Sequence, residues 1–130
     1  MRLWVATVVD ADRLQLRAKE GDAKSQTSLG DCYLWGLGVT QDLPEAVRWY
    51  RKLAAQGHAE GQGMLGWCYQ WGLGVTKDLS EAVRLYQLAA EQGLAQAQYS
   101  LGRMYGNGEG VSLIAHLRPR NLRSRSDPLR

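Results

Sequence analysis

The stretch "GDAKSQTSLGDCYLWGLGV" at residues 21–39 returns as "GHAEGQGMLGWCYQWGLGV" at 57–75, and an altered third copy, "GLAQAQYSLGRMYGNGEGV", fills 93–111. Gly21, Gly57 and Gly93 stand 36 residues apart, and Leu29-Gly30, Leu65-Gly66 and Leu101-Gly102 keep that spacing. Residues 21–56 and 57–92 share 22 identities in 36 positions without a gap. A fixed period of this size signals stacked supersecondary units.

Each unit reads as two helices. In the first half, Ala23, Gln26, Leu29, Gly30 and Tyr33 recur at three- and four-residue steps and form one helical stripe. The second half opens with Asp42-Leu43-Pro44-Glu45, an acidic N-cap followed by Pro in the first turn and Glu three residues on. Asp78-Leu79-Ser80-Glu81 repeats the signal. Ala46, Val47, Tyr50 and Ala54 then make an apolar face, matched by Ala82, Val83, Tyr86 and Ala90. Gly57 and Gly93 sit where left-handed C-terminal caps are expected.

Between the two helices lies "WGLGV", at 35–39 and again at 71–75. Two glycines one residue apart invite a phosphate-loop reading. Such a loop needs a preceding strand and a following Lys-Ser/Thr or third spaced Gly, and neither is present. The stretch is expected to be a tight reversal with positive φ at both glycines.

At these residues the chain resembles the Sel-one-like repeat (SLR) family, a longer relative of the tetratricopeptide repeat. The family pattern runs Gly-x-Ala-x-Ala-Gln-x-x-Leu-Gly-x-x-Tyr-x-x-Gly-x-Gly-Val-x-x-Asp, then Ala, Trp-Tyr and Ala-Ala. Residues 21–55 and 57–90 meet it, and 93–111 meet its first half. Ser25 and Gly61 depart from it at the second Ala, and Leu85 stands where Trp is usual. The resemblance implies an all-α fold, a short right-handed α-solenoid of antiparallel helix pairs, acting as an adaptor or scaffold that binds a protein or peptide. The expected organisation is an N-terminal half-repeat capping helix over 1–20, the solenoid over 21–111 and an Arg-rich, disordered tail over 112–130.

Composition fits a soluble globular protein, with 45% apolar and 22% charged residues. The net charge of +3 is unevenly spread. Between Arg118 and Arg130 lie five Arg and one Asp, a local +4, leaving 11 Lys+Arg against 12 Asp+Glu, a net of −1, elsewhere. A nucleic-acid face on the body is therefore not expected, and a polyanion would bind only through the tail. No run reaches the ~18 apolar residues of a membrane span, and the N-terminus lacks a signal-peptide pattern, so the chain reads as cytoplasmic. Downstream of the third copy the register demands Asp, Glu, Ala and Tyr but meets Ile114, Leu117, Arg118 and Leu122, with Pro119 interrupting. The C-terminal face is thus expected to be uncapped, and a homodimer through it follows as a further expectation.

No catalytic constellation is found. Cys32 and Cys68 occupy equivalent positions one repeat apart, beyond disulfide reach if stacked helices lie ~8–10 Å apart, and read as buried small side chains. His58 and His116 have no nucleophile at recognisable spacing. No cofactor, metal or enzymatic activity is expected. The functional inference comes instead from where the repeats differ. Lys24, Thr27, Asp31 and Leu34 fall on one face of the first helix, opposite the Leu29/Gly30/Tyr33 stripe. Their counterparts are Glu60, Gly63, Trp67 and Gln70, then Gln96, Tyr99, Arg103 and Gly106. In the related tetratricopeptide fold these first-helix positions line a concave groove, and Trp67, Tyr99 and Arg103 are residue types that anchor interfaces. Trp35 and Trp71 recur identically and are expected to pack the turn.

Overall fold

A computed structural model describes residue 13 and residues 15–107. Among the described residues there are no strands; a short helical stretch at 15–19 precedes five helices of 13 residues each. These are α1 (Ala23–Trp35), α2 (Leu43–Ala55), α3 (Ala59–Trp71), α4 (Leu79–Glu91) and α5 (Ala95–Asn107). Extensive contacts run between sequence neighbours, α1 with α2 through α4 with α5, so the chain is an all-α repeat solenoid.

The start signals act as read. Asp42 and Asp78 are extended N-caps whose carboxylates accept from the backbone N–H of Glu45 and Glu81, at 3.1 Å in both cases. Each glutamate then pairs with an arginine one turn on, Glu45 with Arg48 and Glu81 with Arg84. These exposed pairs contribute little. A third cap is Asp22, which accepts from the Ser25 backbone and hydroxyl. His58 is the N-cap of α3 and makes no side-chain cap bond.

The α2 and α4 ends share one hydrogen-bond pattern. Gly57 N–H reaches Ala54 O and His58 N–H reaches Leu53 O, as Gly93 reaches Ala90 and Leu94 reaches Ala89. This is the Schellman arrangement, with Gly57 at φ +84°. Gly21 and Asp22 reach Ala18 and Arg17 in the same way. Other contacts of that first stretch also follow the repeat. Gln15 donates to Tyr33 Oη at 2.9 Å as Arg51 donates to Tyr69 Oη at 3.0 Å, and Gln26 donates to Ala18 O at 3.0 Å as Gln98 does to Ala90 O at 3.1 Å. Residues 15–20 therefore make the contacts that a second helix makes in a full repeat.

The core forms where second helices press on first helices. Ala46, Val47, Tyr50, Ala82, Val83, Tyr86 and Ala90 are buried as the pattern demands. Trp49, Leu53, Leu85 and Ala89 are buried too and carry the contacts between repeats; Trp49 packs with Ala18 and Leu29, and Leu85 joins the cluster holding Leu53 and Leu65. The ring of Tyr50 lies against Gly30, where a Cβ would stand 2.6 Å from its Cε1, and Tyr86 lies against Gly66.

One departure from the family pattern has a packing reason. A Cβ on Gly61 would stand 2.3 Å from Leu53 Cβ and 3.0 Å from Ala54 N, because α3 crosses α2 closely at that point. Gly61→Ala, which moves the sequence toward the family pattern, is therefore expected to destabilise by about 1–3 kcal/mol, the cost of overpacking. Urea denaturation checks this; a gain in stability would mean the α2–α3 contact is looser than this geometry.

Candidate partner-binding surface

Among the described residues, two of the cavities lie along the first helices. One, of about 510 Å³, is framed by Trp35 at the end of α1, by Gly63, Met64 and Trp67 on α3, by Leu94, and by Gln96, Tyr99 and Ser100 on α5. The other, of about 490 Å³, is lined by Lys24 and Thr27 on α1, by His58 and Glu60 at the start of α3, and by Gln92, Gly93 and Leu94. Leu94 belongs to both, so an apolar hollow and a polar hollow adjoin across α1, α3 and α5.

The apolar hollow is built from the repeat itself. Positions 63 and 67 on α3, and 99 and 103 on α5, are one turn apart and face the same way. Trp67 is half-buried and packs against both main core clusters, with its ring 5.9 Å from that of Trp35 at a tilt of 41°. Tyr99 is 67% exposed and its ring carries the Arg103 guanidinium at 5.9 Å. Gly63 keeps the floor open; a Cβ there would meet Leu94 Cδ2 at 2.7 Å.

The ten non-glycine residues singled out from the sequence separate on this geometry. Lys24, Thr27, Glu60, Trp67, Gln96 and Tyr99 line the two hollows, and Arg103 stands on the rim. Leu34 and Gln70 require correction. Leu34 is 3% exposed and part of the core, while Gln70 is 8% exposed and accepts the Tyr86 hydroxyl at 2.7 Å. Both sit one turn too far along the helix, where the face rotates under the following second helix. Asp31 is half-buried and accepts the Tyr50 hydroxyl at 2.5 Å. Burial holds its carboxyl above the usual aspartate value, the Tyr50 bond opposes that, and the nearby Glu60 charge adds to the rise. Asp31 therefore ties α1 to α2 before it serves anything else.

The tryptophans of the turn also differ from expectation. Trp35 and Trp71 are 57% and 58% exposed, and Trp35 forms a wall of the apolar hollow rather than packing the turn. Identity between the repeats conceals it, since the partner surface is sought only where the repeats differ. Met64 and Leu94 were missed because they fall outside the row of differing positions. Cys68 is buried and Cys32 half-buried; both thiols are free, and burial pushes Cys68 up to about 11. Among the described residues no cluster of His, Cys, Asp and Glu is placed to hold a metal ion, and no helix is long and apolar enough to cross a membrane. The basic tail from Arg118 to Arg130, the residues 1–9 and the segment at Ile114, Leu117 and Leu122 lie outside the described residues.

A stack of 36-residue helix pairs with a groove over its first helices defines a helical-repeat scaffold. The sequence profile of the Sel1 repeat matches residues 23–58, 59–94 and 95–112, and the chain belongs to that family. Proteins built from Sel1 repeats generally mediate protein–protein interaction. Among solved structures, the chain is similar to c5321, a protective antigen of uropathogenic Escherichia coli strains displaying an SLR fold, with a TM-score of 0.72 and 36% identity over 78% of this chain and 22% of that one. A Sel1 repeat protein from Oxalobacter formigenes matches with a TM-score of 0.64 and 39% identity, over 67% of this chain and 35% of that one. Cysteine rich protein B of Helicobacter pylori matches at 0.62 and 28% identity, over 67% of this chain and 65% of its own. DAP3-binding cell death enhancer 1 of Rattus norvegicus is 52% identical over 40 residues, which are 31% of this chain and 8% of that protein. The chain thus spans only part of the length of each of these relatives.

Proposed function

We propose that the chain is an interaction module that binds a segment of a partner protein in the groove across α1, α3 and α5. The observation that carries this reading is the apolar hollow of about 510 Å³, in which Trp35 and Tyr99 stay more than half exposed. Large aromatic side chains left open around a hollow are the feature an interface anchor fills. The adjoining polar hollow, with Lys24, Thr27 and Glu60, supplies groups for the backbone of a bound segment.

Tyr99 is the residue to test, because it is exposed and its loss leaves the core intact. Peptides selected from a phage-displayed library against the full chain are expected to lose about thirtyfold in affinity on Tyr99→Ala, the scale of an interface hot spot. The melting temperature should not change. Gly63→Leu, which fills the floor of the hollow, should block the same peptides. Selected peptides that bind both variants at full strength would falsify this placement of the site. Trp67→Ala is a poorer probe, since Trp67 also packs on the core and its loss lowers stability.

A further inference from the structure

The charges around the groove are not evenly distributed. On its α1–α3 side the lining carries Lys24, His58 and Glu60, while Asp31 lines neither hollow and is engaged by Tyr50. The Glu60 charge lies near enough to Asp31 to add to the rise in its pKa, after the larger effect of burial. The centre, from Trp35 to Tyr99, carries no ionisable side chain but the Tyr86 and Tyr99 phenols. On the α5 side the cation is Arg103, exposed, with its guanidinium over the Tyr99 ring. Among the described residues Arg103 has no carboxylate partner.

Arg103 lines neither hollow and stands on the rim through its contact with Tyr99, a lining residue. It is the third-repeat counterpart of Asp31 and Trp67, and Trp67 frames the hollow from the opposite wall. A guanidinium held against an aromatic face keeps its donors free at the edge, and its planar fork suits a carboxylate. The neighbouring hollow is apolar, so a bulky apolar side chain seated in it would bring an adjacent carboxylate alongside this exposed guanidinium.

Resting on the reading above, we infer that the groove selects one chemistry of partner: a protein segment with a large apolar side chain for the hollow and an Asp or Glu beside it for Arg103. The complementarity is directional, since a basic residue at that place would face Arg103 and an acidic residue at the other end would face Glu60.

Panning a phage-displayed library of random 12-residue peptides on the full chain, and in parallel on Arg103→Glu and Arg103→Ala, tests the inference. The expected result is enrichment of peptides pairing Trp, Phe, Leu or Met with a nearby Asp or Glu. On Arg103→Glu the enriched charge should change to Lys or Arg, and on Arg103→Ala the charge preference should vanish while the apolar anchor stays. Affinity of an acidic peptide for Arg103→Glu should drop at least tenfold and recover when its carboxylate is replaced by Lys. Apolar peptides enriched without charge preference, or a preference unmoved by Arg103→Glu, overturn the inference and leave the groove reading standing. Failure to enrich any peptide that Tyr99→Ala weakens overturns both.

Discussion

Gly74→Val is expected to lower stability by about 3–5 kcal/mol, a large part of what holds a domain of this size. Gly74 lies in the turn between α3 and α4 at φ +72°, a left-handed conformation that costs an L-residue ~1–2 kcal/mol and a β-branched one more. The second cost is steric. A Cβ there would stand 2.6 Å from Leu43 O, 2.7 Å from Leu43 C and 3.0 Å from Pro44 N. These are backbone atoms at the start of α2, which no rotamer change can move aside, so the turn of one repeat would be driven off the helix of the one before. Gly72→Asn separates the two costs. Gly72 has a similar φ of +68°, but its nearest contact would be Lys77 Cβ at 3.4 Å, and Asn tolerates the left-handed region. Gly72→Asn should cost under ~1 kcal/mol, whereas Gly74→Asn should remain severe. Urea denaturation of the three variants reads the differences, and an unchanged midpoint for Gly74→Val would overturn the turn geometry.

The same two glycines mark how far the sequence could be read. The 36-residue period, the caps at Asp42 and Asp78, and the reversal at Gly-x-Gly each follow from local rules: a helix needs a cap, and a tight turn needs positive φ. Comparing the repeats also located the row of first-helix positions that lines the hollows. It could not say where that row turns inward. Leu34 and Gln70 share the helical face of Asp31 and Trp67 by spacing, yet the second helix lies over the last turn and buries them. That depends on how two helices cross, which periodicity does not encode. Trp35 failed for the opposite reason. Its recurrence argued for packing the turn, but the turn projects it outward, where the neighbouring Trp67 makes it a wall. Asp31 belongs to neither class, since its partner Tyr50 is 19 residues away and only folding brings them together.

That Asp31–Tyr50 contact carries the second large expectation. Tyr50→Ala should destabilise by about 3–5 kcal/mol, as loss of a buried aromatic ring does. Tyr50 is fully buried, its ring covers Gly30, and it belongs to the cluster that joins the first two repeats through Leu53, Leu65 and Leu85. No flexible side chain at Gly30 can refill the space. Tyr50→Phe isolates the hydroxyl, and its cost should depend on pH. Burial, the largest cause, holds Asp31 above its ordinary value in the fold, so ionising it costs stability as pH rises from about 4 through the folded pKa. The Tyr50 hydroxyl opposes that rise by donating to the carboxylate. Without it the folded pKa climbs further, and the ionised carboxylate loses a charge-assisted bond of about 1.5–3 kcal/mol. With the carboxyl protonated, only an ordinary hydrogen bond is lost, about 0.5–1.5 kcal/mol. Tyr50→Phe is therefore expected to cost more near ~pH 7 than near ~pH 4, with Asp31→Asn abolishing the difference. A cost independent of pH would mean that Asp31 does not titrate against this hydroxyl. The contact would then hold α1 to α2 through the ring alone.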